Sequence, residues 1–257
     1  MKVRSLVAAA NIGFMFLLMG GIAAEAAEIK VLSAFAMRTV MEDLGPKFEQ
    51  ASGHKLAITF GNLGAIVKRV RGGETADVVI IPKQGTDGFV KDDKAAAGNV
   101  TVIARTGFSV AVRKGAPKPD ISSPEAFKRT LLATKSITYA DPAATAAGIH
   151  VAKVLDRLGI ANEMKPKTLI PKSGSVGNLV ANGEAEIAVH HLIQLIEVAG
   201  IEIIGPLPGD LQSFDVFAAA IMTGARDAAA SKALVNFLRT PEAAAVIKAK
   251  GLEPATP

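Results

Sequence analysis

From residue 28 onward, short apolar runs and one-faced amphipathic segments take turns along the chain. EIKVLSA, KLAITF, ADVVIIP, FSVAVRK, KSITYA, AEIAVH, IEIIG and FDVFAAAIM have the length and β-branched content of strands. Helical periodicity falls between most of them, near 37–51, 64–72, 122–134, 147–158, 176–182, 225–239 and 241–250. Elements in that order predict an α/β fold, because a sheet whose strands alternate with helices is covered on both faces. The last helix is framed most clearly: Thr240 as N-cap, Pro241 at the first helical position, Glu242 in the first turn and Gly251 just past the end. KGAPKPDISSPEAF is the single Pro-rich stretch and predicts a surface loop leading to a helix capped by Ser122 or Ser123.

The first strand-to-helix junction poses the functional question. VLSAFAMRT, residues 31–39, ends a strand and enters a helix whose apolar residues are Met37, Val40, Met41, Leu44 and Phe48. Ser33 to Ala36 offers one hydroxyl and no charge. Such junctions are nevertheless where α/β proteins place ligands, since a helix start has unpaired N–H groups and the positive end of the helix dipole.

The N-terminus MKVRSLVAAANIGFMFLLMGGIAAEA has Lys2 and Arg4, an apolar stretch and then Ala24-Glu25-Ala26, the order of a secretory signal. The apolar run contains Asn11 and several glycines and is short for a spanning helix, so cleavage after Ala26 is expected. The expected product is a periplasmic protein with no membrane insertion. About 230 residues remain, enough for one large domain or two small ones with a real core. With no cysteine, an exported chain must rely on that core rather than on disulfides.

Composition narrows the ligand. The formal charge is +5, or +4 without residues 1–26, and Lys and Arg are scattered, which argues against nucleic acid and suits small anions. Aromatic residues make up 5%, with no Trp and only Tyr139, which disfavours ligands held by stacking. There is no Walker loop, G-x-S-x-G, H-E-x-x-H or G-x-G-x-x-G. His190 and His191 are adjacent on a strand and face opposite sides, so they do not make a metal site together. Ser52-Gly53-His54-Lys55 fits S-x-x-K but lies where a helix turns into a strand, which predicts a turn. His54 and His150 stand alone in the sequence and are expected to be structural or surface residues.

Four further junctions share the form of the first. Phe60 to Gly64 opens a helix, Pro82 to Gly85 ends a strand, Asp141 to Gly148 links strand to helix, and Ser173 to Gly177 starts another helix. Any one of them is explained by Gly and Ser acting as helix caps. Four in one exported chain favour an anion site, with Ser33, Asn62, Lys83 and Ser175 among its candidate contacts.

Residues 29–83, ADPAATAAGIHVAKVLDRLG (140–159) and NFLRTPEAAAVIKAKG (236–251) resemble the molybdate-binding family of periplasmic solute-binding proteins. The resemblance covers nearly the whole mature chain. It implies two α/β lobes joined by two crossover strands, residues 27–106 plus 213–257 and residues 107–212, with a ligand cleft between them. It also implies a monomer that delivers a small anion to an ABC transporter permease, without cofactor or metal. Two serines of the family fall on Ala36 and Leu63, a backbone donor falls on Ala147, another falls roughly on Ser173, and the binding tyrosine falls on His191. A His191 imidazolium, Lys83 or Arg38 would then meet a carboxylate. The leading reading is a transport receptor for an organic acid or an oxyanion other than molybdate; the alternatives are an enzyme, since aconitate isomerase is similar to this family, a receptor for molybdate or tungstate, and a sensor-type binding module with no transporter. In the enzyme His191 or Asp141 would be the base.

Overall fold

The computed structural model describes residues 26–171 and 175–255. The expected signal segment up to Glu25 and the candidate Ser173 lie outside the described residues. Ten strands are described: β1 (Glu28–Ala34), β2 (Lys55–Gly61), β3 (Val78–Pro82), β4 (Ala95–Arg113), β5 (Ile137–Thr138), β6 (Thr168–Leu169), β7 (Ile187–His191), β8 (Ile201–Pro206), β9 (Phe214–Met222) and β10 (Glu253–Pro254). The longer helices are α1 (Arg38–Ser52), α2 (Leu63–Arg71), α3 (Lys83–Lys91), α4 (Pro124–Ala133), α5 (Ala146–Arg157), α9 (Ala228–Phe237) and α10 (Pro241–Ala249). Shorter ones are α6 (Ala161–Met164), α7 (Val176–Ala181) and α8 (Leu192–Leu195). No helix among the described residues is long and apolar enough to cross a membrane.

Strands follow the order β2-β1-β3-β9-β4-β7-β5-β6, with β8 and β10 also paired to β4. β1 is parallel to both β2 and β3, and β5 is parallel to both β6 and β7. Between these parallel groups β4 runs antiparallel to β9 and then to β7. One core gathers Val31, Leu32, Met41, Phe48, Ile80, Ile103 and Leu234. A second gathers Phe108, Phe127, Leu131, Ile137, Val151 and Ile187. The result is a two-lobed α/β fold crossed by β4 and β9. The inner strands β1, β3 and β7 are apolar in near-continuous buried runs because helices cover both faces.

Local chemistry explains most boundaries. Thr240 caps α10 through its hydroxyl, which accepts from Ala243 N–H (3.2 Å), and Gly251 follows with a positive φ of 79°. Of the two serines proposed for α4, Ser123 is the cap, while Ser122 bonds Asp120. Ser52 is a turn residue: its hydroxyl donates to Phe48 O (2.7 Å) and accepts from His54 N–H. His54 is buried and its Nδ1 accepts from Ala27 N–H. Helix α3 and the first half of β4 were not expected from the sequence and are additions of the structure.

At the centre of the crossing, Phe108 is paired in an unusual way. Its N–H donates to Gln212 Oε1 (2.8 Å), and its carbonyl accepts from Gln212 Nε2 (2.9 Å) and from Leu207 N–H (3.1 Å). A side-chain amide thus takes a position that a neighbouring strand would fill.

Candidate functional site

The pairing registers decide where the strand ends lie. β1, β2 and β3 end at Ala34, Gly61 and Pro82, with Ala34 opposite Gly61 and Ser33 opposite Ile80. Pro82 lies opposite Phe217 on β9, whose first residues, Phe214 and Asp215, face Gly107 and Thr106 of β4. From the other lobe, His191 at the end of β7 lies opposite Phe108. Both sets of C-terminal strand ends, and the helix starts that follow them, therefore open toward one crossing. Helix N-termini brought together in this way concentrate N–H donors and positive potential.

On the first lobe, the junction that raised the question is an uncapped helix start. A 3₁₀ turn over Phe35–Met37 leads into α1, and neither has a side-chain cap. Ser33 is fully buried and its hydroxyl points to the Ala34 carbonyl (3.5 Å), so it is not presented outward. Ala36 lies in the 3₁₀ turn. Arg38 stands exposed, its guanidinium carbon 4.9 Å from the Phe35 ring centroid and 5.1 Å from that of Phe60. Among the described residues it pairs with no carboxylate. The flanking rings support the cation without neutralising it.

Its neighbours are more committed. Asn62 caps α2, its Oδ1 accepting from Ala65 N–H (2.8 Å). Leu63 opens that helix and packs toward α3, where Gly85 leaves room for it: a Cβ there would lie 2.6 Å from Leu63 Cδ1. Lys83 is held by Asp87 (2.7 Å), a half-exposed pair four residues apart on α3 that contributes little to stability but neutralises the ammonium.

On the second lobe, Asp141 organises the loop before α5. Its Oδ1 accepts from Ala143 N–H (2.8 Å), and its carbonyl accepts from the Thr145 N–H and hydroxyl, each at 2.9 Å. Thr145 caps α5 at Gly148 N–H (3.0 Å). Gly148 is packed so closely that a Cβ would lie 2.2 Å from the Ala140 carbonyl oxygen. Ala147 is half-buried beside it against the second core. Ser175 caps α7, accepting from Gly177 N–H (3.2 Å).

His191 lies at the end of β7, 4.0 Å from the Phe108 ring and 5.5 Å from the His190 ring. Burial, with the neighbouring His150, pushes its pKa down to about 4, so the ring is neutral at pH 7 rather than the imidazolium expected from sequence. Burial also brings His190 down to about 4, reinforced by His191 and opposed by Asp215. His150 does not stand alone: its ring is 4.5 Å from Phe108, and its Nε2 bonds the Leu211 carbonyl at 3.0 Å. Asp215, its carboxyl pushed up by burial against the pull of the histidines, completes the group. Among the described residues no cluster has the form of a metal site.

Phe35, Phe60, Phe108, His150 and Asp215 are the residues that sequence reasoning missed here. The registers that bring them to the candidates are invisible in a linear reading. A cavity of about 560 Å³ lies elsewhere, lined by Val112, Arg113, Pro117 and Ile187 at the opposite end of β7 from His191.

This architecture has close counterparts. An aconitate isomerase from Pseudomonas sp is 32% identical over 232 residues, covering 88% of this chain and 87% of that protein. The molybdate-binding protein ModA of Azotobacter vinelandii is 28% identical over 237 residues, covering 89% of this chain and 91% of its own. The solved substrate-binding domain assigned to a molybdenum ABC transporter of Clostridium difficile superposes with a TM-score of 0.80 at 14% identity, covering 90% of this chain and all of that one. The sequence profile of one family spans residues 29–253, from the first strand to the last, and by that match the chain belongs to the bacterial extracellular solute-binding proteins.

Proposed function

We propose that this protein is a periplasmic receptor that captures a small organic carboxylate in the cleft between its lobes and presents it to an ABC transporter permease. The observation that carries the reading is Arg38, an unneutralised guanidinium steadied by Phe35 and Phe60 at an uncapped helix start. A guanidinium meets a carboxylate through two parallel hydrogen bonds, and the free N–H groups of the adjoining turn add further donors. At the positions where the resemblance places serine hydroxyls for an oxyanion stand Ala36 and Leu63, which have none. A buried oxyanion lacking those donors is poorly compensated. The lobes, residues 27–106 with 213–257 and residues 107–212, would close on the ligand by bending at β4 and β9.

A thermal-shift series on the mature chain tests this. Di- and tricarboxylates should raise Tm, by about 2.7 kcal/mol of added stability at a hundredfold excess over Kd. A rise with molybdate or tungstate and none with any carboxylate would overturn the reading. Arg38→Ala should weaken the carboxylate by roughly tenfold to a hundredfold in calorimetry, the loss of a charge-assisted bond of about 1.5 to 3 kcal/mol. An unchanged Kd would remove Arg38 from the site.

The 32% identity to an aconitate isomerase supports a second reading, in which the same cleft turns a tricarboxylate over. A base, Asp141 or His191, would take a proton from a carbon beside a carboxylate, and helix-start N–H groups would stabilise the enolate-like charge. Proton NMR of trans-aconitate in deuterated water separates the two. Formation of the cis isomer with deuterium uptake establishes the enzyme, and binding without exchange establishes the receptor.

A further inference from the structure

The crossing holds more titratable groups than anion contact requires. His191 is 8% exposed, and its Nε2 has no hydrogen-bond partner among the described residues, although Asp215 Oδ2 lies 3.5 Å away. His190 Nδ1 is likewise buried without a partner. His150 must carry a proton on Nε2 to bond the Leu211 carbonyl, so any second proton would go to Nδ1. The rings of His150 and His191 both lie against Phe108, with His190 edge-on to His191. Three imidazoles with open nitrogens thus sit behind the strand ends to which an anion would come.

We propose that the cleft takes up its anion together with one solvent proton, which the His150, His190 and His191 group holds beside Asp215. The proposal rests on the carboxylate reading for the charge of the ligand. The proton passes from buffer to an open ring nitrogen, and no bond in the ligand changes. In the unliganded protein burial keeps the rings neutral, and an anion seated in front of them restores the preference for an imidazolium.

The groups facing the cluster divide clearly. From β9, Asp215 favours the proton. Along α5, Lys153 and Arg157 oppose it at His150, and Arg157 is itself paired with Asp210. From β4, Phe108 and Ser109 contribute no charge, and Gln212 is engaged with Phe108. Within the cluster the rings oppose one another, so it accepts one proton and resists a second. The sign follows from linkage. Between the low pKa of the free protein and the higher one of the complex, affinity rises as pH falls, by up to about tenfold per unit.

Calorimetry of the mature protein with trans-aconitate at pH 6, in cacodylate, MES and Bis-Tris, reads the proton directly. The observed heat should vary linearly with buffer ionisation enthalpy, with a slope approaching about one proton per anion. In the wild type, the histidine C2–H resonances should titrate at higher pH when trans-aconitate is bound. His191→Gln and Asp215→Asn should reduce the slope. Buffer-independent heat overturns the proposal and leaves the carboxylate reading intact. No heat with trans-aconitate, but buffer-dependent heat with molybdate, overturns the carboxylate reading and upholds proton uptake. Buffer-independent molybdate heat alone, or no heat with either anion, overturns both.

Discussion

Asp77→Ala lowers the free energy of unfolding by about 3 to 5 kcal/mol, a large part of the 5 to 15 kcal/mol typical of a whole protein. Asp77 is 3% exposed, and its carboxylate ties two other chain segments to its own. Its Oδ2 accepts from Lys30 N–H (2.7 Å) on β1 and from Arg226 Nη2 (2.9 Å), while Oδ1 accepts from Arg226 N–H (2.7 Å) in the turn after β9. Truncation strands two backbone donors, while the Arg226 guanidinium, more than half exposed, loses its partner but can turn to water. Urea unfolding should show the loss as a lower midpoint with m unchanged, and a loss below about 1 kcal/mol would refute this account. Burial raises the pKa of Asp77, but the bonds from Arg226 and Lys30 outweigh it and the net shift is downward. Its contribution is therefore full above the unfolded value of about 3.9 and disappears as pH falls through the lower folded value. The variant should lose that portion of the acid dependence.

Gly148→Ala should impair folding and binding together. The new methyl would meet the Ala140 carbonyl oxygen at 2.2 Å and the Asp141 carbonyl oxygen at 2.6 Å, both backbone atoms that cannot rotate away. The first turn of α5 must then separate from the 140–145 loop, breaking the Thr145 cap and displacing Ala147. Overpacking of this kind costs about 1 to 3 kcal/mol, and the displaced helix start should weaken the ligand by about tenfold or more. Gly98→Ala is the control: nothing lies within 4 Å of its added Cβ, and neither quantity should change. Equal behaviour of the two variants in unfolding and calorimetry would disprove the crowding at α5.

How much of this was legible beforehand depended on range in the sequence. The α/β order, the frame of α10 and the junctions at Ser33, Asn62 and Ser175 are written in local periodicity and caps, and there the structure agrees. Helix α3 was missed because KQGTDGFVK has two glycines, a threonine and an aspartate in nine residues. Tertiary packing around Gly85 and Phe89 fixes it, not propensity. The first half of β4 was missed because Gly98-Asn99 has the composition of a turn; these residues bulge out of register with β9, and pairing at Ala95 and again from Val100 carries the strand past them. Arg38 and His191 could be named as candidates from their positions. The charge state of His191 could not, because it depends on burial and on His150, which is no chain neighbour. Lys83 read as an available cation until α3 placed Asp87 one turn away.

The amide of Gln212 gives the join between the lobes a mechanical property of its own. Where a backbone N–H is bound by another strand, twisting one side of the sheet against the other strains a whole ladder. At Phe108 the N–H is bound by a side chain with rotatable torsions, which can follow the strand as it turns. Phe108 is therefore a point of torsional compliance in the 19-residue β4, and it is packed against His150 and His191. If the lobes close as proposed, rotation at Phe108 would shift the imidazoles packed on it, and a change in the angle between the lobes would become a change in the electrostatic environment of the cleft.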